Sequence, residues 1–106
     1  MELNNKQRAY LSSLAANESP IMQIGKEDVT PELVQAVNET FNNRELVKLS
    51  VLKNCFSDPR EIADVIAGRT RSTVVRVIGR KIVLYKPFKE PKIILPKKKS
   101  STKLPL

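Results

Sequence analysis

The 106-residue chain offers few side chains for covalent chemistry. It has no histidine and one cysteine, which removes Ser-His and Cys-His nucleophile pairs, imidazole proton transfer and nearly every common zinc ligand set. Without a base beside it, Cys55 reads as a thiol at a strand end or in a loop. Glu27-Asp28 is a carboxylate pair, yet adjacent residues on a loop rarely converge on one substrate atom; a solvated loop before a helix is the plainer account. Gly25-Lys26-Glu27-Asp28 is not a Walker loop, because the second glycine and the Lys-Ser/Thr pair are missing. No catalytic residue, metal site or cofactor is expected.

Binding is better served. Lys and Arg number 19 against 11 Asp and Glu, a net charge of +8, and the excess is lopsided. Residues 1–68 hold seven basic and ten acidic side chains, whereas residues 69–106 hold twelve basic and only Glu90. A one-sided field concentrates and steers a polyanion, so the candidates are RNA, DNA or an anionic membrane; the competing account is a basic tail that merely solvates. Two places suit phosphate. Gly25 and Lys26 precede a helix start, where backbone amides and the positive end of the helix dipole favour anions. Arg76, Arg80, Lys81, Lys86 and Lys89 follow one another through a β-rich stretch, and Arg69 and Arg71 lie just upstream. These seven form one surface if the preceding helix end and the hairpin tip are neighbours. Aromatic residues are 5% of the chain, with no Trp, which argues against a stacking platform for single strands.

The elements that must position these residues read as follows. Asn4 or Asn5 caps a helix to about Ala16, with Tyr10, Leu11, Leu14 and Ala15 at helical spacing. Ile21 to Ile24 is a short strand closed by Gly25. Thr30-Pro31 opens a second helix, since proline at the first position forgoes a donor that has no partner there; Leu33, Val34, Val37 and Phe41 are its apolar stripe. Leu46 to Leu52 is a strand with Val47, Leu49 and Val51 on one face and Lys48 and Ser50 on the other. Asp58-Pro59-Arg60-Glu61 starts a third helix with capping-box spacing, and Ile62, Val65 and Ile66 are assigned to the core. Thr73–Ile78 and Ile82–Tyr85 flank a Gly79-led turn as a hairpin, with Arg76 facing away from Val75 and Val77. Four prolines follow: Pro87, Pro91, Pro96 and Pro105. Ile93-Ile94-Leu95 can add an edge segment, and residues 97–106 read as a disordered basic tail. Helices between strands favour parallel crossovers. The fold class is therefore α/β, a two-layer sandwich of order α-β-α-β-α-β-β with a mixed four-stranded sheet, one domain over residues 1–96.

The run from Val77-Ile78-Gly79-Arg80-Lys81 through Tyr85-Lys86-Pro87 to Lys89-Glu90-Pro91-Lys92-Ile93 closely resembles the end of bacterial YhbY-type proteins. These are single-domain members of the CRM family, named for chloroplast RNA splicing and ribosome maturation. Lys6-Gln7-Arg8 with Leu11, then Pro20 and Ile24-Gly25-Lys26, then Glu45-Leu46-Val47-Lys48 resemble the family's earlier pieces in order, so the likeness covers about residues 3–96. It implies the same α-β-α-β-α-β-β order, similar to the C-terminal domain of translation initiation factor three. It also implies binding of structured RNA and, for the bacterial members, a role in large-subunit ribosome assembly. The family's Gly-x-x-Gly loop after the first strand matches at Gly25, but Asp28 replaces its second glycine. Asn17 stands where relatives commonly have His, and Arg71 where many have Gly.

Residues and resemblance together give this expectation: a cytoplasmic, monomeric, non-enzymatic protein that binds structured ribosomal RNA in precursor large subunits, away from membranes. Gly25, Lys26, Arg69, Arg71, Arg76, Arg80, Lys81, Lys86 and Lys89 would carry the contact. The alternatives are a structural ribosome component, a protein-interaction module or a nonspecific DNA-binding protein.

Overall fold

In the computed structural model, which describes residues 2–96, the element order is α1 (Asn5–Ala16), β1 (Met22–Ile24), α2 (Pro31–Thr40), β2 (Leu46–Val51), α3 (Pro59–Thr70), β3 (Thr73–Ile78) and β4 (Lys81–Tyr85). Each helix begins where a side-chain acceptor is available. Asn4 takes the Gln7 amide and Gln7 returns its carbonyl to the Asn4 amide, a full capping box. Thr30 accepts from Leu33 with Pro31 as the first helical residue. Asp58 accepts from Arg60, so it caps α3 by itself.

The strands form one mixed sheet in the order β1-β2-β4-β3. β1 runs parallel to β2, while β2–β4 and β3–β4 are antiparallel. α2 and α3 cover one face, where Ile24, Val37, Phe41, Val47, Leu49, Val51, Ile62, Ile66, Ile82 and Leu84 make the larger core. These are the two layers of the sandwich. α1 lies over part of the opposite face, above a second cluster of Leu11, Ala15, Val75, Val83 and Tyr85.

Cys55 is buried in the larger core. Val65, assigned to the core from spacing, is instead exposed, and Ala63 and Ala67 take the inner positions with Ile62 and Ile66. Small residues there let the α3 backbone approach the sheet. Ile93-Ile94-Leu95 does not join the sheet. Residues 86–96 lie across the α1 side as an irregular strap, with Ile93 and Leu95 packed on the smaller core and Ile94 exposed. The expected tail, residues 97–106, lies outside the described residues. No described helix is long and apolar enough to cross a membrane.

The hairpin carries two local departures from a flat ladder. Gly79 has φ +57 and begins a two-residue loop with Arg80, the arrangement that lets Gly lead a tight turn matched to strand twist. A register shift between Val74 and Arg76 marks a β-bulge at Val75. Arg76 pairs with Val83 and Val77 with Ile82, so Val75 and Arg76 share the α1 side and only Val77 faces the other way. The simple alternation expected for Arg76 fails because the bulge inserts one extra residue.

α3 ends at Arg71, whose φ of +58 is left-handed, while Ser72 donates to the Ala67 carbonyl. An L-residue there pays a steric penalty of about 1–2 kcal/mol that Gly avoids. Part of that gain is offset by the wider freedom of Gly in the unfolded chain. Arg71→Gly should therefore raise stability by about 1 kcal/mol and the melting temperature by about 4–8 °C; thermal unfolding followed by circular dichroism checks the sign.

Candidate nucleic-acid interface

The ends of β1 and β2 and the start of β4 lie at one end of the sheet, which brings the Gly25 loop and the hairpin tip onto a shared rim. The segment after β2 joins them. Leu52 donates its amide to the Ile24 carbonyl and accepts from the Arg80 guanidinium, and Val51 donates to the Arg80 carbonyl. A Cβ on Gly25 would stand 3.4 Å from Asn54 Oδ1 and 3.6 Å from Leu52, ordinary contact distances. The conformational demand in this loop falls on Asp28, at φ +64. Its amide closes a turn onto the Gly25 carbonyl, and its carboxylate accepts from the Val29 amide and the Ser57 hydroxyl. Asp28 thus braces the loop against the segment before α3, and much of its hydrogen-bonding capacity is used internally. The rim displays Lys26, Lys53, Arg80 and Lys81, all exposed; the acids beside them are Glu27, Asp28 and Asp58.

From the tip, basic side chains continue along β3, the free edge of the sheet. Arg76 lines a groove with Arg8 from α1 and Arg60 and Asp64 from α3. Arg8 is fixed there: its Nη1 donates to the Val74 and Val75 carbonyls at 2.6 and 2.9 Å. Three arginines against one aspartate leave this edge positive. Among the described residues the one ion pair is Arg44–Glu18 on another surface, so the cations of the rim and edge stay available to an outside anion. Arg8, Arg60 and Lys53 were not singled out from the sequence. Their signals were slight: Arg60 sits in the first turn that Asp58-Pro59 announces, and Lys53 just past the strand that ends at Val51.

The remaining residues of the expected site lie apart. α3 ends at the far end of β3 from the tip, so Arg71 is about 20 Å from it along six strand residues. The helix end and the tip are not neighbours. Arg69 lines a groove with Asp28, Ser57, Glu61 and Val65, facing acids rather than the hairpin. Lys86 and Lys89 follow β4 at the end opposite the tip, and the Lys86 ammonium sits 6.0 Å from the Phe41 ring centroid. The structure therefore places Gly25, Lys26, Arg80 and Lys81 on one rim and Arg76 on the β3 edge that leads away from it; Arg69 shares a groove with Asp28 of the Gly25 loop, and Arg71, Lys86 and Lys89 lie toward the other end of the sheet. Among the described residues no group of three or more acids, Cys or His can hold a metal ion.

The profile of the CRS1 / YhbY (CRM) domain matches residues 3–86. The chain belongs to the CRM-domain family. It is 41% identical over 92 residues to the Bacillus subtilis protein named "Probable RNA-binding protein YqeI", covering 87% of this chain and 96% of that one. A Haemophilus influenzae protein named "RNA-binding protein" is 31% identical over 96 residues, covering 91% and 97%. The solution structure of SAV1595 from Staphylococcus aureus, described as a candidate RNA-binding protein, is similar with a TM-score of 0.76 and 43% identity. That match covers 90% of this chain and all of the other.

In this CRM domain the backbone of the strap after β4 is held by a buried acid. Glu45 is 3% exposed and accepts from the Phe88 amide at 2.8 Å, Lys92 at 3.0 Å and Ile93 at 2.7 Å. Gln7 secures the far end of the strap by donating to the Pro96 carbonyl. Three backbone donors satisfy the carboxylate. Burial pushes the Tyr85 phenol above its ordinary range, and the Glu45 charge adds to that rise.

Two outcomes follow from this clamp. Glu45→Ala removes the acceptor of three partly buried amides and should cost about 1–3 kcal/mol, with faster hydrogen exchange at Phe88, Lys92 and Ile93; Glu45→Gln, which keeps one acceptor, should lose less. Because the folded Tyr85 pKa is raised, its contribution to stability is full below about pH 10, the unfolded value, and is lost as pH rises through the folded value. Denaturant titrations across alkaline pH should show a steeper loss in the parent than in Tyr85→Phe.

Proposed function

We propose that this CRM domain binds structured RNA through its hairpin tip and β3 edge, and that its target is precursor ribosomal RNA during large-subunit assembly. The observation that carries the reading is the run from Lys81 and Arg80 at the hairpin turn to Arg76 on the free edge strand β3, widened by Arg8 and Arg60 in a groove where Asp64 is the acid. Relatives named as RNA-binding proteins point to the same polyanion, and the resemblance to YhbY-type proteins supplies the ribosomal target. The mechanism is electrostatic docking. Guanidinium groups contact successive phosphates of an RNA helix, and the fixed Arg8 needs little further ordering to do so. Lys26 and the turn at Gly25 extend the contact from the tip.

Affinity for a structured ribosomal RNA fragment should fall steeply with salt, with a slope of log K against log salt of roughly −3 to −5 for about four to six neutralised phosphates. Replacing Arg80 and Lys81 together by Ala should leave folding intact, since both are exposed. It should also make the slope shallower by about two. A flat salt response, or a double variant identical to the parent, sinks the electrostatic interface. Competition with duplex DNA at fixed salt tests RNA preference. For the ribosomal target, sucrose gradients should place the protein with precursor large subunits and not with mature ones; presence in mature particles favours a structural component instead.

A further inference from the structure

Phe56 is 96% exposed, and nothing in the electrostatic account uses it. Single apolar side chains on a surface are ordinary, but this one differs in degree and in setting. The other exposed large apolar residues, Tyr10, Val65, Ile78 and Ile94, are all covered to a greater extent. The other two phenylalanines each have an ammonium group 6.0 Å from the ring centroid, Lys86 for Phe41 and Lys92 for Phe88. The Phe56 mount is fixed on both sides. Cys55 is buried in the core and donates its amide to the Leu52 carbonyl, while the Ser57 hydroxyl is bonded to Asp28. The same Leu52 carbonyl receives the Arg80 guanidinium. The ring thus projects from the rim that carries Lys53, Lys26 and Arg80, and its sequence neighbours Lys53, Asn54, Ser57 and Asp58 are polar. An isolated aromatic face among cations does not suit an apolar protein partner, which needs a contiguous patch. It suits a nucleobase, because stacking needs one flat face and the linked phosphates need the cations.

We infer that Phe56 stacks on an unpaired base of the bound RNA, so that the ligand is an RNA helix interrupted by a bulge, loop or flipped-out nucleotide next to the hairpin tip. This rests on the RNA-binding reading above and adds to it a preference that charge alone does not create: phosphate contacts are made by a fully paired helix as well.

The chain has no tryptophan, so Phe56→Trp places a single indole reporter on the rim. Two RNA hairpins serve as probes, identical except that one carries a single-nucleotide bulge. The full-length parent should bind the bulged hairpin more tightly. Phe56→Ala should weaken that complex about tenfold or more and change the paired hairpin less than twofold, with unaltered thermal unfolding. Phe56→Leu, apolar but without a flat face, should behave like Ala. Phe56→Trp should bind as the parent does, and its fluorescence should be quenched by the bulged hairpin and not by the paired one. If parent and Phe56→Ala bind both hairpins alike with the steep salt dependence retained, stacking is wrong while RNA binding stands. If the parent binds neither hairpin, the RNA-binding reading itself falls and this inference falls with it.

Discussion

Ile82 and Leu84 point from β4 into the core beneath α2 and α3, while Val83 and Tyr85 point into the core beneath α1. All four are buried, and burial of each of the three aliphatic side chains, Ile82, Val83 and Leu84, is worth about 1.5–3 kcal/mol. A strand buried on both faces needs cover on both. On one side two helices supply it; on the other, α1 and the strap do so together. The strap cannot lie there unless its backbone amides find acceptors, and Glu45, at the residue before β2, provides them. The central strand, the first helix, the buried acid and the irregular segment after β4 are one connected solution to one requirement.

That requirement also decides where charge can go. β4 tolerates a charged residue only at its first position, Lys81, and β2 keeps Lys48 by directing its ammonium to the Ala15 and Glu18 carbonyls past the end of α1. Within the sheet, free cations are left to the hairpin tip, the adjoining loop rim and β3, the strand with one unpaired side. The basic residues at this edge come from elements that are distant in sequence. Arg8, Arg60 and Arg76 meet only because α1 and α3 both abut the same edge.

Local signals carried most of the element assignments. Asn4, Thr30-Pro31 and Asp58-Pro59 mark helix starts because their side chains satisfy amides within three residues, and Gly79 marks the turn because its backbone needs a positive φ. Charge asymmetry pointed to the hairpin for a similar reason, since it is a property of neighbours in sequence. What stayed hidden depends on distant contacts. Val65 has the spacing of a core residue but lies on the outside of α3, where Ala63 and Ala67 bring the helix close to the sheet. The bulge at Val75 is bonded to Arg8, more than sixty residues away, and it redirects Arg76. Glu45 looks like any surface acid beside Arg44, and only the returning strap makes it a buried hub. Arg69 and Arg71 share the charge of the hairpin residues but not their place, because β3 carries the chain away from α3 before turning.

The free edge of β3 has a further meaning for how molecules of this protein meet one another. An unpaired strand edge is a template on which a second copy can add its own strand and so lengthen the sheet without limit. Here the Val74 and Val75 carbonyls are already occupied by Arg8, the bulge breaks the spacing that an incoming ladder would follow, and arginine charge repels an identical edge. The opposite edge, β1, offers only three residues. The same arginines that make the edge attractive to an anion thus make it a poor template for the strand of a second copy.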